Sequence, residues 1–217
     1  MTEYGKPDYW SQKAQKEGYP ARSVYKLREI DEKFGLIKSG NFVRILDLGS
    51  APGSWSLFIL KKFLPGGVNP ENQKSGCKTG SFLVSVDISP LSRQYDHGIF
   101  DRQDFFFIQG DFTLPAIRDA ILSHSPYNLI MSDAAPATTG NRSVDTLRSL
   151  ELAQTVLEYA VSGLAPGGNL VIKVFQGEDT GDLLKQLKKL FITGKSFKPE
   201  ACRQNSFETY FLGFGKK

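Results

Sequence analysis

Asp47-Leu48-Gly49-Ser50-Ala51-Pro52-Gly53-Ser54-Trp55-Ser56 closes a short apolar run, Phe42–Leu48, and opens a helical pattern at Ser54–Phe63. A strand that ends in an acid, turns through glycines and enters a helix is the first unit of an open α/β sheet. Glycines at 49 and 53 permit a tight turn and a close approach of backbone to ligand. The spacing is not G-x-G-x-x-G, so the dinucleotide fingerprint is missing. The loop holds no lysine, so it is not a Walker P-loop either.

Working outward, the pattern alternates. Phe82–Val86 and Phe105–Ile108 are buried-strand candidates, and Leu114–Leu122 reads as a helix. Tyr127–Met131 is a strand, Thr146–Leu164 a long helix, Leu170–Phe175 a strand, Leu183–Phe191 a helix and Phe207–Phe214 a final strand. Such alternation predicts an α/β fold with a mostly parallel sheet covered on both faces, and the strands closing the chain can hold an antiparallel edge. On the other side of the loop, Val24, Leu27, Ile30 and Phe34 recur at helical steps over 21–34, with Pro20 placed to open the helix. Residues 1–20 read as an arm, with Tyr9, Trp10 and Tyr19 expected to pin it to the body. Residues 65–81, rich in Gly, Asn and Lys, read as a surface-loop insertion.

The chain has 217 residues, 40% of them hydrophobic, which suits one domain over 1–217 with a full core. A net charge of +4 permits a polyanionic partner. Cys77 and Cys202 form no C-x-x-C pair, so neither a metal site nor a disulfide framework is expected. Apolar runs such as Phe82–Val86 are too short to span a bilayer, and no transit-peptide or signal pattern precedes Arg22. A cytoplasmic monomer with no membrane contact is the expectation.

Four consecutive strands end in an acid or a glycine loop: Gly49 to Gly53 after the first, then Asp87, Asp111 after Gly110, and Asp133. A lone Asp there is commonly a turn or cap residue. Four in register line the carboxyl edge, where open α/β sheets bind ligands. Asp87 is placed to accept hydrogen bonds from ribose hydroxyls and Asp111 to take an adenine amine. A nucleoside site with no pyrophosphate anchor favours S-adenosylmethionine over NAD, held by Gly49, Ser50, Ala51, Pro52 and Gly53. Lys173 interrupts an otherwise apolar strand near that edge. It either snorkels to solvent or, desolvated beside a second cation, serves as a general base.

With these residues in place, the sequence resembles the RrmJ/FtsJ family of ribosomal RNA ribose 2′-O-methyltransferases, from Tyr9 to the C-terminus. The motifs that carry the resemblance are Arg22-Ser23-Val24-Tyr25-Lys26-Leu27, the 47–55 loop, Asp87, Gln109-Gly110-Asp111-Phe112, Ser132–Pro136 and Lys173-Val174-Phe175-Gln176-Gly177. The resemblance implies a Rossmann-like, seven-stranded S-adenosylmethionine-dependent methyltransferase fold with an antiparallel edge strand. It implies a catalytic tetrad of Lys26, Asp133, Lys173 and Glu208. Lys173 would be the base, with Lys26 keeping it neutral or steadying the developing alkoxide. Asp133 would orient the lysine, and Glu208 would position Lys26 or the ribose. It assigns cofactor contacts to Gly53, Trp55, Asp87, Asp111 and Asp133. Pro20 stands where the family often has a further arginine, and the insertion after Pro65 is longer than in bacterial members.

Arg22 and Lys26 share a helix face. With Arg28, Lys13, Lys16 and Lys33 they offer a phosphate-tracking surface. The expected acceptor is a uridine in the A-loop of large-subunit (23S-type) ribosomal RNA, in the assembled particle or as naked RNA, with tRNA as the alternative. Cytosine-C5 chemistry needs a cysteine beside Asp133–Pro136, where Ala134 and Ala135 stand. Amino-group chemistry usually sets an aromatic where Ala137 stands. A catalytically silent RNA-binding assembly factor and a nicotinamide oxidoreductase are the readings outside this class.

Overall fold

β1 (Arg44–Leu48) has all but its first residue buried, and its side chains alternate between two cores. Ile45 packs into one, Leu46 and Leu48 into the other, as the two-residue period of a strand requires. The computed structural model describes residues 8–37, 43–63, 80–177, 180–203 and 206–217. Cys77, nearly all of the expected 65–81 insertion, and residues 1–7 of the arm lie outside the described residues.

Around β1 stand β2 (Phe82–Asp87), β3 (Phe105–Gln109), β4 (Tyr127–Ser132), β5 (Leu164–Phe175), β6 (Phe191–Phe197) and β7 (Glu208–Lys216). Their spatial order is β3-β2-β1-β4-β5-β7-β6. β1 to β5 run parallel, and β7 runs antiparallel to both β5 and β6. The direction of winding reverses between β1 and β4, so the loops leaving these strands flank the crevice where such sheets bind ligands. The helices are α1 (Tyr9–Lys16), α2 (Val24–Phe34), α3 (Ser54–Phe63), α4 (Pro115–Leu122), α5 (Arg142–Gly163) and α6 (Thr180–Leu190). Residues from α1, α2 and α3, among them Leu27, Ile30 and Leu57, fill one core with Ile45, Val171 and Leu212. The other face holds Val156, Ala160 and Leu187 from α5 and α6 against Leu46, Ile130 and Ile172.

Three expectations need correction. The antiparallel strand is not the edge: β7 lies between β5 and β6, and β6 takes the edge. The arm, for which no helix was expected, contains α1 at Tyr9–Lys16, with Asp8 capping it by accepting from the Ser11 N–H at 2.8 Å. α2 begins at Val24 rather than next to Pro20, and α5 begins at Arg142 rather than Thr146. Asn141 supplies the cap that lengthens α5, its Oδ1 accepting from Ser143 and Val144. The pinning role expected of two arm aromatics holds: Tyr19 is buried, and Trp10 packs 4.9 Å from Tyr25. Tyr9 is exposed. No helix among the described residues is long and apolar enough to cross a membrane.

Candidate active site

The loop after β1 is built against the end of β2. Gly49 and Ser50 donate to the Val86 carbonyl at 2.9 and 3.1 Å, and Ala51 donates to Asp87 Oδ2 at 2.9 Å. Asp87 also accepts from Ser89 N–H at 2.8 Å, so its carboxylate is held by the backbone on both sides. Gly49 has φ 74°, and a Cβ there would lie 2.5 Å from Ala134 Cβ and 2.7 Å from its Cα. No other residue fits against the start of the β4 loop. Gly53, at φ 105°, is likewise closed off, here by Phe100. The glycine loop thus touches the segment that carries Asp133.

This cradle fits S-adenosylmethionine. The Ser50 hydroxyl is buried with no hydrogen-bond partner among the described residues, which an incoming polar ligand would satisfy. Asp111, on the loop after β3, accepts from the Thr113 N–H and hydroxyl through Oδ1. Trp55 is placed differently from a free cofactor contact. Its ring is buried, and Nε1 donates to the Ser23 carbonyl at 2.8 Å. The indole therefore locks the start of α3 to the turn leading into α2, which carries Lys26.

The four residues of the expected tetrad come together as two pairs. Lys173, on β5, lies 3.1 Å from Asp133 Oδ1 and also donates to the Asp133 carbonyl. Lys26, on α2, lies 2.9 Å from Glu208 Oε2. Lys26 and Lys173 are each only 9% exposed and Glu208 8%, so these are not solvated surface charges. Burial of both cations is tolerable because each has a carboxylate at contact distance.

Tyr210 links the pairs, and the sequence reading missed it. Its hydroxyl donates to Asp133 Oδ1 at 2.6 Å, and Lys26 Nζ sits 6.0 Å from its ring centroid. The signal was available: Tyr210 stands two residues after Glu208 on one strand, hence on the same face. Burial pushes the Tyr210 hydroxyl pKa well above its usual value, reinforced by the Asp133 and Glu208 charges. It therefore stays a donor. For Asp133, burial alone would raise the pKa, but Lys173, Lys26 and the Tyr210 hydroxyl outweigh it and hold the carboxyl below its usual range. Burial would likewise lower Lys26, but the Asp133 and Glu208 charges prevail and raise it. Lys26 remains cationic.

Two further buried groups went unforeseen. Asp47 is fully buried; one oxygen accepts from Ser56 at 2.7 Å and the other has no partner among the described residues. Burial raises its pKa to about 7, with the Asp133 and Asp87 charges adding to the effect. Cys202 is buried near Glu208, and burial pushes its thiol up to about 12.

The basic surface is less free than expected. The Arg22 guanidinium is bound to Asp8 and to the Ala201 carbonyl. Arg28 pairs with Glu17 at 3.0 Å and lies 5.1 Å from the Tyr25 ring. Both arginines hold the arm, and Arg22 also ties it to the 199–203 turn.

Known proteins resemble the chain over most of its length. The model of the FtsJ-like methyltransferase family matches residues 19–216. Ribosomal RNA large subunit methyltransferase E of Treponema denticola is 45% identical over 216 residues, covering all of this chain and 98% of its own. Its namesake from Borrelia garinii subsp. bavariensis is 44% identical, with 96% and 97% covered. A crystal structure of a Plasmodium falciparum protein described as a ribosomal RNA methyltransferase superposes with a TM-score of 0.69 at 26% identity, over 91% of this chain and 98% of that one. S-adenosyl-L-methionine is the methyl donor that the loop and this kinship call for. A glycine cradle at the sheet's reversal point, two buried amine–carboxylate pairs beside it and a match over nearly the whole length agree, and the chain belongs to the FtsJ-like methyltransferase family.

Proposed function

We propose that this protein methylates a ribose 2′-hydroxyl of large-subunit ribosomal RNA, at a uridine of the A-loop, with Lys173 as general base. The observation that carries the reading is the Lys173–Asp133 contact. Two N–H bonds of Lys173 are spoken for, one by the Asp133 carboxylate and one by its carbonyl. Once the ammonium has released its third proton, the lone pair at that position can take the proton of the acceptor hydroxyl and regenerate the ammonium. The names of the relatives support RNA as the substrate.

S-adenosylmethionine supplies a methyl group already activated on a sulfonium. The remaining work falls to the chain: placing the hydroxyl in line, removing its proton and offsetting the charge that builds on oxygen. Gly49 to Gly53 would cradle the cofactor, Asp87 its ribose and Asp111 its adenine. At Trp55 the contact would come from the backbone. Asp133, held by Tyr210, orients Lys173. Lys26 stays charged beside Glu208 and would steady the developing alkoxide. This assigns Lys26 a stabilising role rather than one of suppressing the charge of Lys173. RNA contacts at Arg22 and Arg28 would use donors left over from their internal bonds. Action as a cytoplasmic monomer belongs to the same proposal.

The test is to map 2′-O-methylated nucleotides in total RNA with and without the gene. Loss of one mark in the A-loop of the large ribosomal RNA is expected. An unchanged ribosomal pattern with a lost tRNA mark would move the assignment to tRNA.

A further inference from the structure

Three chain segments that carry tetrad residues also bring a second set of side chains together. Phe207 directly precedes Glu208, Phe175 follows Lys173 by two residues on β5, and Arg142 opens α5 at the end of the segment leaving Asp133. The Phe175 and Phe207 rings meet edge to face with centroids 4.7 Å apart. The Arg142 guanidinium lies 5.3 Å from the Phe207 centroid.

The placement is built. A Cβ on Gly177 would lie 2.4 Å from Thr146 Cγ2, so the glycine is what lets the first turns of α5 close on the end of β5. Ser149 reinforces this by accepting the Phe175 N–H at 3.0 Å. Gln176 N–H donates to the Phe207 carbonyl at 2.8 Å, which fixes Phe207 beside Lys173's strand. Phe207 nevertheless stays partly open, and Arg142 is exposed and makes no ion pair among the described residues. A planar cation over an aromatic ring, both at least partly open to solvent beside the strand ends that carry Lys173 and Glu208, suits an unpaired nucleobase. The guanidinium keeps donors for a base carbonyl or the adjoining phosphate.

We infer that Phe207 and Arg142 form a clamp for the unstacked base of the acceptor nucleotide. The clamp rests on the proposed RNA substrate and adds to it the means by which one nucleotide is held out of its stack. Phe207 and Arg142 are positioning residues: they hold the base while Lys173 acts on the ribose. A base stacked on an aromatic ring contributes enough that its loss weakens RNA binding on the order of tenfold.

The test compares Phe207→Leu, Phe207→Tyr and Arg142→Ala with the parent enzyme. KM and kcat are read on large-subunit ribosomal RNA from cells lacking the gene. Cofactor affinity is read by calorimetry, and binding of a fluorescein-labelled hairpin oligoribonucleotide by anisotropy. Phe207→Leu and Arg142→Ala should raise KM and hairpin Kd about tenfold, with kcat and cofactor affinity near the parent. Phe207→Tyr, which keeps the ring, should behave like the parent. Parent-like KM in both Phe207→Leu and Arg142→Ala overturns the clamp, as does equal loss in Phe207→Leu and Phe207→Tyr. A parent enzyme that transfers no methyl to RNA would defeat the functional reading, while the Leu–Tyr contrast in hairpin binding still decides the clamp.

Discussion

Tyr210 donates its hydroxyl to Asp133 Oδ1 at 2.6 Å, the oxygen that Lys173 Nζ approaches at 3.1 Å. One carboxylate oxygen thus serves a phenol from β7 and an amine from β5. The phenol cannot compete as an acid, because burial and the nearby carboxylates keep its proton in place. Asp133 is therefore immobilised, and the orientation of Lys173 follows from it.

Lys173→Ala should abolish methyl transfer while leaving the affinity for S-adenosylmethionine close to that of the parent. Removal of a general base costs about 10²- to 10⁴-fold, and the cradle at 49–53 lies on other elements. A tritium-transfer assay with calorimetry checks both halves. Equal rates for mutant and parent would reject the base.

Lys26→Met should destabilise the fold by about 3–5 kcal/mol, because it strands the Glu208 carboxylate in a buried setting. Lys26→Met combined with Glu208→Gln should recover much of that loss yet stay slow, since no cation remains to steady the oxygen. Denaturant unfolding and single-turnover rates separate the two effects. A double variant as active as the parent would show that the pair is only structural.

Gly49→Ala and Asp87→Ala should both weaken cofactor binding, for different reasons. The alanine methyl at 49 meets the Ala134 backbone at 2.7 Å in a left-handed conformation, so the loop must move. Loss of Asp87 removes the anchor of the Ala51 N–H and the acceptor for ribose hydroxyls. Calorimetric Kd values rising at least tenfold are expected, about 1.4 kcal/mol or more. An unchanged Kd in Asp87→Ala would count against its ribose role.

Asp47→Asn should change how stability depends on pH. The folded carboxyl, raised to about 7 by burial, binds its proton more tightly than the unfolded chain does. Stability should therefore be greatest below pH ~4 from this group and fall as pH rises toward about 7. The full effect is at most about 4 kcal/mol. The asparagine variant should lose this slope and be the more stable protein at pH 8. Parallel pH profiles for parent and variant in urea unfolding would contradict it.

Most of the sheet was legible because its strands are continuous apolar runs separated by helical periods. β6 was not. Phe191-Ile192-Thr193-Gly194-Lys195-Ser196-Phe197 lies at the edge, with Ile192 76% exposed, so burial left no consistent pattern in it. Its strand character comes from pairing with β7, a long-range ladder that no local window contains. α1 was missed for a similar reason: in eight residues only Ala14 is fully buried. The position of β7 inside the edge is likewise a matter of which strands pair.

The sequence alone determined the α/β alternation, the glycine loop, the acids at the strand ends and the intrusion of Lys173, since each is a local pattern. It could not tell Lys26 from a solvated helix charge, or Glu208 from an edge-strand charge. Only the tertiary structure decided that, by burying α2 against β7 so that the two charges meet at 2.9 Å. The physical reason is that burial and pairing are relations between distant segments. A charged residue's own neighbours in the chain do not reveal whether water or a counter-charge surrounds it.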